Sequence, residues 1–191
     1  ESYSPRETLA HDLIAKTGAA LGLEVAQDFA ANTYVTLAGT DRSAAPIVIG
    51  SHLDSVQNGG NFDGYAGVVA GMVALAAMTD SRWRPTRDIR VMGIRAEESA
   101  WFGVSYIGSR SALGQLPDGA LETATRADTG RTLADHMRDC GGDPAYPYKR
   151  ARRARRRRPA RNRAGDHPAV YRPPDGAADG SDPEPADALA A

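Results

Sequence analysis

The chain has 191 residues, 41% of them hydrophobic and 25% charged, with a formal net charge of −1; these are the values of an ordinary globular chain, long enough for one domain and marginal for two. The charge is uneven: residues 1–148 carry 12 Lys and Arg against 18 Asp and Glu, residues 149–163 carry 10 basic groups and no acid, and residues 164–191 carry 1 basic and 6 acidic groups. The lone Cys140 excludes an intramolecular disulfide framework and a cysteine-built zinc cluster.

In chain order, Ser4-Pro5-Arg6-Glu7 reads as a helix start, with Ser4 as cap, Pro5 at the first position and Glu7 closing a capping box. Leu9, Leu13, Ile14 and Leu21 follow helical spacing, and Gly22 is the expected stop. Tyr34–Leu37 predicts a strand closed by Gly39. Ile47–Gly50 is continuously apolar, the pattern of a strand buried on both faces. Gly64–Met78 predicts a helix, apolar nearly all round and therefore buried. Ile89–Ile94 is a second core strand, and Ser105–Leu113 and Thr132–Asp139 are helices. Alternating strands and helices point to an α/β layer architecture, which by this pattern alone is largely parallel. The longest apolar run, Tyr65–Met78, is too short to cross a bilayer. The N-terminus is polar and unlike a secretory leader; with the single cysteine this sets the expectation of a reducing, cytoplasmic location. A chain that opens on Glu1 also reads as a fragment or a processed product.

After Tyr148 the periodicity stops. Residues 149–163 are a run of Lys and Arg, and 164–191 are rich in Pro, Ala and Asp with few large apolar side chains. Burial there cannot offset the entropy of ordering, so the expectation is a disordered tail after a folded unit of 1–148.

Three constellations carry chemistry. His52-Leu53-Asp54 follows a predicted strand, and the carboxyl ends of strands face the ligand crevice of open α/β sheets. Asp54, two residues on, falls on the same side of an extended chain, and a carboxylate beside an imidazole is the usual support of a metal-bound His. The alternative is a satisfied structural His. Asp63, after Gly59-Gly60-Asn61-Phe62 and before Gly64, sits at a helix start, where an N-cap carboxylate is the plain alternative to a ligand. Glu97-Glu98 follows the second core strand; two adjacent carboxylates repel when partly buried unless a cation compensates, and the alternative is a solvated pair. One His with carboxylates suits zinc, manganese or cobalt. His11 and His136, both within predicted helices, are expected as exposed helix residues.

The segments GSHLDSVQNGGNFDGYAGVVAG and RAEESAWFGVSYIGSRSALG resemble the hydantoinase/carbamoylase-type amidases, zinc-dependent amidohydrolases of the aminopeptidase- and carboxypeptidase-like dimetal superfamily. RADTGRTLADHMRDCGGDP fits the same pattern, so the resemblance covers roughly residues 4–145. It implies a mixed sheet flanked by helices, here incomplete. It implies two divalent metal ions, zinc first and manganese or cobalt as alternatives. In that scheme His52 binds one metal, Asp63 bridges, Glu98 binds the second, Glu97 is the general base and Asp54 orients His52. The implied substrate is a small linear amide or ureido compound, such as an N-carbamoyl-L-amino acid or allantoate. The family also carries a further His in a His-Ile-Glu-Gln-Gly-type motif, another His near its C-terminus, and a lid domain that mediates homodimerisation. None of these is recognisable here, and His167 lacks the flanking motif. The change of composition near 143–148 resembles GC-rich coding sequence read out of frame, and a frameshifted, weakly active or inactive chain is the expectation. The alternative function is polyanion or nucleic-acid binding through residues 149–163, although no aromatic side chain interrupts that run to stack on bases.

Overall fold

The computed structural model describes residues 1–146. The Arg-rich run, the polyanion-binding reading, the expected disorder of the tail, and His167 all lie outside the described residues.

The chain opens with helix α1 (Pro5–Ala20), whose cap Ser4 accepts from the Glu7 amide as expected. Short β1 (Glu24–Gln27) and β2 (Thr33–Leu37) pair antiparallel, then come β3 (Ile47–His52), α2 (Tyr65–Asp80), β4 (Ile89–Ile94), α3 (Ile107–Leu113), α4 (Ala120–Thr123) and α5 (Leu133–Asp139). The sheet order is β1-β2-β4-β3. It is a mixed sheet: β2 pairs β4 antiparallel, and among the described residues only β3 and β4 run parallel. The expectation of a largely parallel sheet is therefore corrected. The strand β1 has no sequence signal because EVAQ is too short to show an alternation.

Val25, Val35, Val91 and Ile49 lie side by side across the four strands, so they share one face. Both long helices pack on that face. A side chain at Gly18 of α1 would strike Val35, and one at Gly71 of α2 would strike Val91. A core of Ile14, Leu23, Val35, Val68, Leu75 and Val91 results. A second core, built on Tyr3, Phe29, Trp101, Phe102, Ile107, Leu133 and Met137, joins the N-terminal residues to α3–α5.

Four burial expectations are corrected. β3 is an edge strand with β4 as its one partner among the described residues, and Val48 is 50% exposed. The continuous apolar run that reads as two-sided burial leaves Ile47 and Val48 facing solvent. Likewise α2 buries only Val68, Gly71, Met72 and Leu75, while Val73 is 62% exposed. Conversely, His11 and His136 are buried, because α1 lies on the sheet and α5 packs under Phe102.

Candidate metal centre

β3 and β4 run parallel with His52 level with Ile94, so both strands deliver their carboxyl ends to one edge of the molecule. The Leu53 amide donates to the Ile94 carbonyl at 3.1 Å and keeps the two chains together one residue further. Beyond β4 the backbone of residues 95–98 has no strand partner among the described residues. Each of its amides donates instead to a buried side chain: Arg95 to Asn32 Oδ1 at 2.9 Å, Ala96 to Glu7 Oε1 at 2.9 Å, Glu97 to Asp54 Oδ1 at 3.0 Å and Glu98 to Asp54 Oδ2 at 3.2 Å. Ala96 takes a left-handed turn (φ 49°) that faces both glutamate amides toward Asp54. The Arg95 side chain, fully buried, ion-pairs with Glu7 at 3.3 Å and donates to the Ala31 carbonyl. Glutamates 97 and 98 thus stand on a backbone immobilised by α1, the β1–β2 turn and Asp54.

His52 Nδ1 lies 2.9 Å from the Asp54 carbonyl oxygen. A carbonyl only accepts, so Nδ1 carries the hydrogen and Nε2 of the neutral ring presents its lone pair outward. That Nε2 is 3.7 Å from Asp63 Oδ1 and 3.9 Å from Glu97 Oε2. One ligand atom each from His52, Glu97 and Glu98 fall within 4.8 Å of one another. A nitrogen and carboxylate oxygens at that spacing fit a divalent ion such as zinc.

The charges agree. The Asp54 carboxylate beside the ring, with its carbonyl and Glu97, raises His52 to about 9, against the opposing effect of burial. Burial and then Glu97 raise Glu98. Burial pushes Asp54 up, but donation from His52, Ser2 and the two glutamate amides outweighs it, and the group stays below the usual range. The surplus of carboxylate that favours a proton on His52 equally favours a cation.

Asp63 belongs to the turn before α2. Its carboxylate is not a helix cap: Gly64 occupies the N-cap position, and no side chain among the described residues caps α2. The plain alternative for Asp63 is thereby removed, and its side chain is free to reach His52. It stands half-exposed and outside the three-residue group formed by His52, Glu97 and Glu98. Gly64 has φ 70°, and a Cβ there would run into the His52 ring.

Residues 32–125 match the model of peptidase family M28. The chain is 40% identical over 143 residues to an N-carbamoyl-L-amino acid amidohydrolase of Geobacillus stearothermophilus, covering 75% of this chain and 34% of the relative. It is 32% identical over 139 residues to an allantoate amidohydrolase of Escherichia coli, covering 73% and 34%. A crystal structure of a hydantoinase/carbamoylase family amidase from Burkholderia ambifaria superposes with a TM-score of 0.68 at 33% identity, covering 73% of this chain and 34% of the other. The N-terminal part of this chain belongs to the hydantoinase/carbamoylase-type amidases. The chain spans about a third of the length of the amidases it matches.

All five residues singled out from this sequence come to one place: His52, Asp54, Asp63, Glu97 and Glu98. The residues behind them were not foreseen. Glu7 reads from sequence as a capping-box partner, yet its carboxylate accepts from Tyr3 and Ala96 and pairs with Arg95. Asn32 and Ser2 carried no signal at all. Their partners are 63 and 52 residues away in the chain, a separation that no local pattern reports. The one available hint was Arg95, a charge directly following a core strand.

Proposed function

We propose that the described residues form the N-terminal part of a dimetal amidohydrolase site that hydrolyses a linear amide or ureido C–N bond. His52 Nε2, Asp63 and Glu98 would hold the two metals, with Asp63 as the ligand they share. Zinc is the first choice, with manganese or cobalt as alternatives. A divalent metal held there would lower the pKa of water to about 7 and polarise the scissile carbonyl.

The side chains supply the rest. Glu97 Oε2, 3.9 Å from His52 Nε2, stands beside the ligand atoms rather than among the buried supports. From there it takes a proton from the attacking water and passes it to the departing nitrogen. Asp54 neither touches substrate nor moves a proton. It fixes the His52 tautomer and holds the amides of both glutamates.

The observation that carries this reading is the convergence of His52, Glu97 and Glu98 within 4.8 Å, with His52 Nδ1 already engaged. The names of the relatives support N-carbamoyl-L-amino acids or allantoate as the substrate class. For the chain as given, the proposal is zinc binding with little turnover. The test is ammonia release from N-carbamoyl-L-amino acids and from allantoate with zinc, manganese or cobalt added. Slow release abolished by Glu97→Gln is the expected result. Fast release, or release indifferent to Glu97→Gln, contradicts it.

A further inference from the structure

The Asp54 carboxylate has 0% side-chain exposure. An ionised carboxylate only accepts, so each buried oxygen needs donors. Oδ1 has the Glu97 amide at 3.0 Å, with His52 Nδ1 at 3.5 Å. Oδ2 has the Glu98 amide at 3.2 Å and the Ser2 hydroxyl at 2.5 Å. The torsion that sets a carboxylate plane is broad and roughly two-fold, so hydrogen bonds rather than rotamer preference determine it. The shortest bond on Asp54 comes from Ser2.

Ser2 is itself immobilised. It is fully buried. Arg126, paired with Asp128, donates Nη1 to the Ser2 carbonyl at 3.2 Å and to the Tyr3 carbonyl at 3.3 Å. Tyr3 takes a left-handed conformation (φ 48°), its amide donates to Glu7 and its hydroxyl to the Ala30 carbonyl. Residues 2–3 therefore form a strap tied at three points, with one side chain aimed at the support of the glutamate loop.

We propose that Ser2 is a positioning residue of this site: its buried hydroxyl sets the plane of the Asp54 carboxylate, and through it the placement of Glu97 and Glu98 beside His52. The role assigned to Ser2 rests on the metal-site reading above. Arg126 serves the same end from the other side of the strap.

The experiment uses the full 191-residue chain. Zinc affinity is measured by chelator competition well below the melting temperature, and amide exchange at Glu97 and Glu98 is followed by NMR. Ser2→Ala is expected to weaken zinc binding about tenfold, the lower end for loss of a group supporting metal ligands, and to accelerate exchange at the Glu98 amide. Arg126→Met, which leaves the hydroxyl in place but loosens the strap, is expected to shift both in the same direction. Val35→Ala is the control: it opens a cavity in the core between α1 and the sheet, away from the strap, and costs stability while leaving zinc affinity and exchange at Glu98 as they were. A Ser2→Ala chain with parental affinity and parental exchange overturns the proposal, as does a Val35→Ala chain that loses affinity equally. His52→Ala separates the two readings. If it binds zinc as tightly as the parent, the metal-site reading falls, and the exchange result alone decides whether Ser2 holds the loop.

Discussion

Asp54 Oδ1 accepts the amide of Glu97 at 3.0 Å, across 43 residues of chain. This bond, with its neighbour from Glu98, ties the end of β3 to the loop after β4. It lets one buried carboxylate set both the histidine and the two glutamates.

Asp54→Asn keeps the shape and removes the charge. The new amide group turns a donor toward at least one of the amides and the Ser2 hydroxyl that now donate to the carboxylate. The expected loss is about 2 kcal/mol of stability, the scale for leaving a buried polar group unsatisfied, with zinc affinity falling roughly 10- to 100-fold. Urea denaturation and chelator competition measure the two effects.

Gly64→Ala places a Cβ against the His52 ring at a backbone conformation with φ 70°. The left-handed conformation alone costs about 1 kcal/mol for a residue with a side chain, and the ring must move as well. Both thermal stability and zinc affinity are expected to fall. A variant with parental zinc affinity means that the turn before α2 shifts without disturbing His52.

His11 supplies a pH dependence. It is buried, its Nδ1 meets the Thr33 hydroxyl at 2.9 Å, and Nε2 has no hydrogen-bond partner among the described residues. Burial, then the neighbouring Arg95 charge, holds its pKa well below 6.5. Above the unfolded value of ~6.5 the ring is neutral in both states, and its contribution to stability is complete. Below it the unfolded chain takes up a proton that the folded chain refuses. Stability therefore falls on acidification by up to about 1.4 kcal/mol per pH unit. The difference between the parent and His11→Gln isolates this dependence from the other titrating groups. That difference is expected to change between pH 6.5 and pH 5 and to be flat between pH 7 and pH 8.

The exposed edge of β3 sets colloidal behaviour. Ile47 and Val48 are each 50% exposed on a strand with one free edge among the described residues. Unprotected apolar edges template self-association. The chain is expected to associate with rising concentration, and Val48→Lys to reduce this without changing zinc affinity. Light scattering across a concentration series checks it.

Much of this was legible in the sequence. The helix from Pro5, the strand ending at His52 and the helix after Gly64 are each announced by local chemistry: a cap, an apolar run, a glycine-rich turn. His52 is visible because it ends such a strand, Glu97 and Glu98 because they lie just beyond one, and Asp63 because it stands just before a helix. Burial was harder to read. Ile47-Val48-Ile49 has the composition of a central strand, but only topology decides whether a second strand covers its free edge. His11 and His136 looked like surface residues because each has polar neighbours in sequence; tertiary packing buried them. The supports of the site were hidden for a related reason. Ser2, Glu7 and Asn32 act through one or two bonds each to residues far along the chain, and isolated long-range bonds leave no periodicity.

The most direct test of the central claim is a zinc titration of the 191-residue chain alongside His52→Ala and Glu98→Gln, followed by equilibrium dialysis. The account predicts saturable binding by the parent that each substitution weakens at least tenfold while the fold survives by circular dichroism. Equal binding by all three chains, or no binding by the parent, contradicts it.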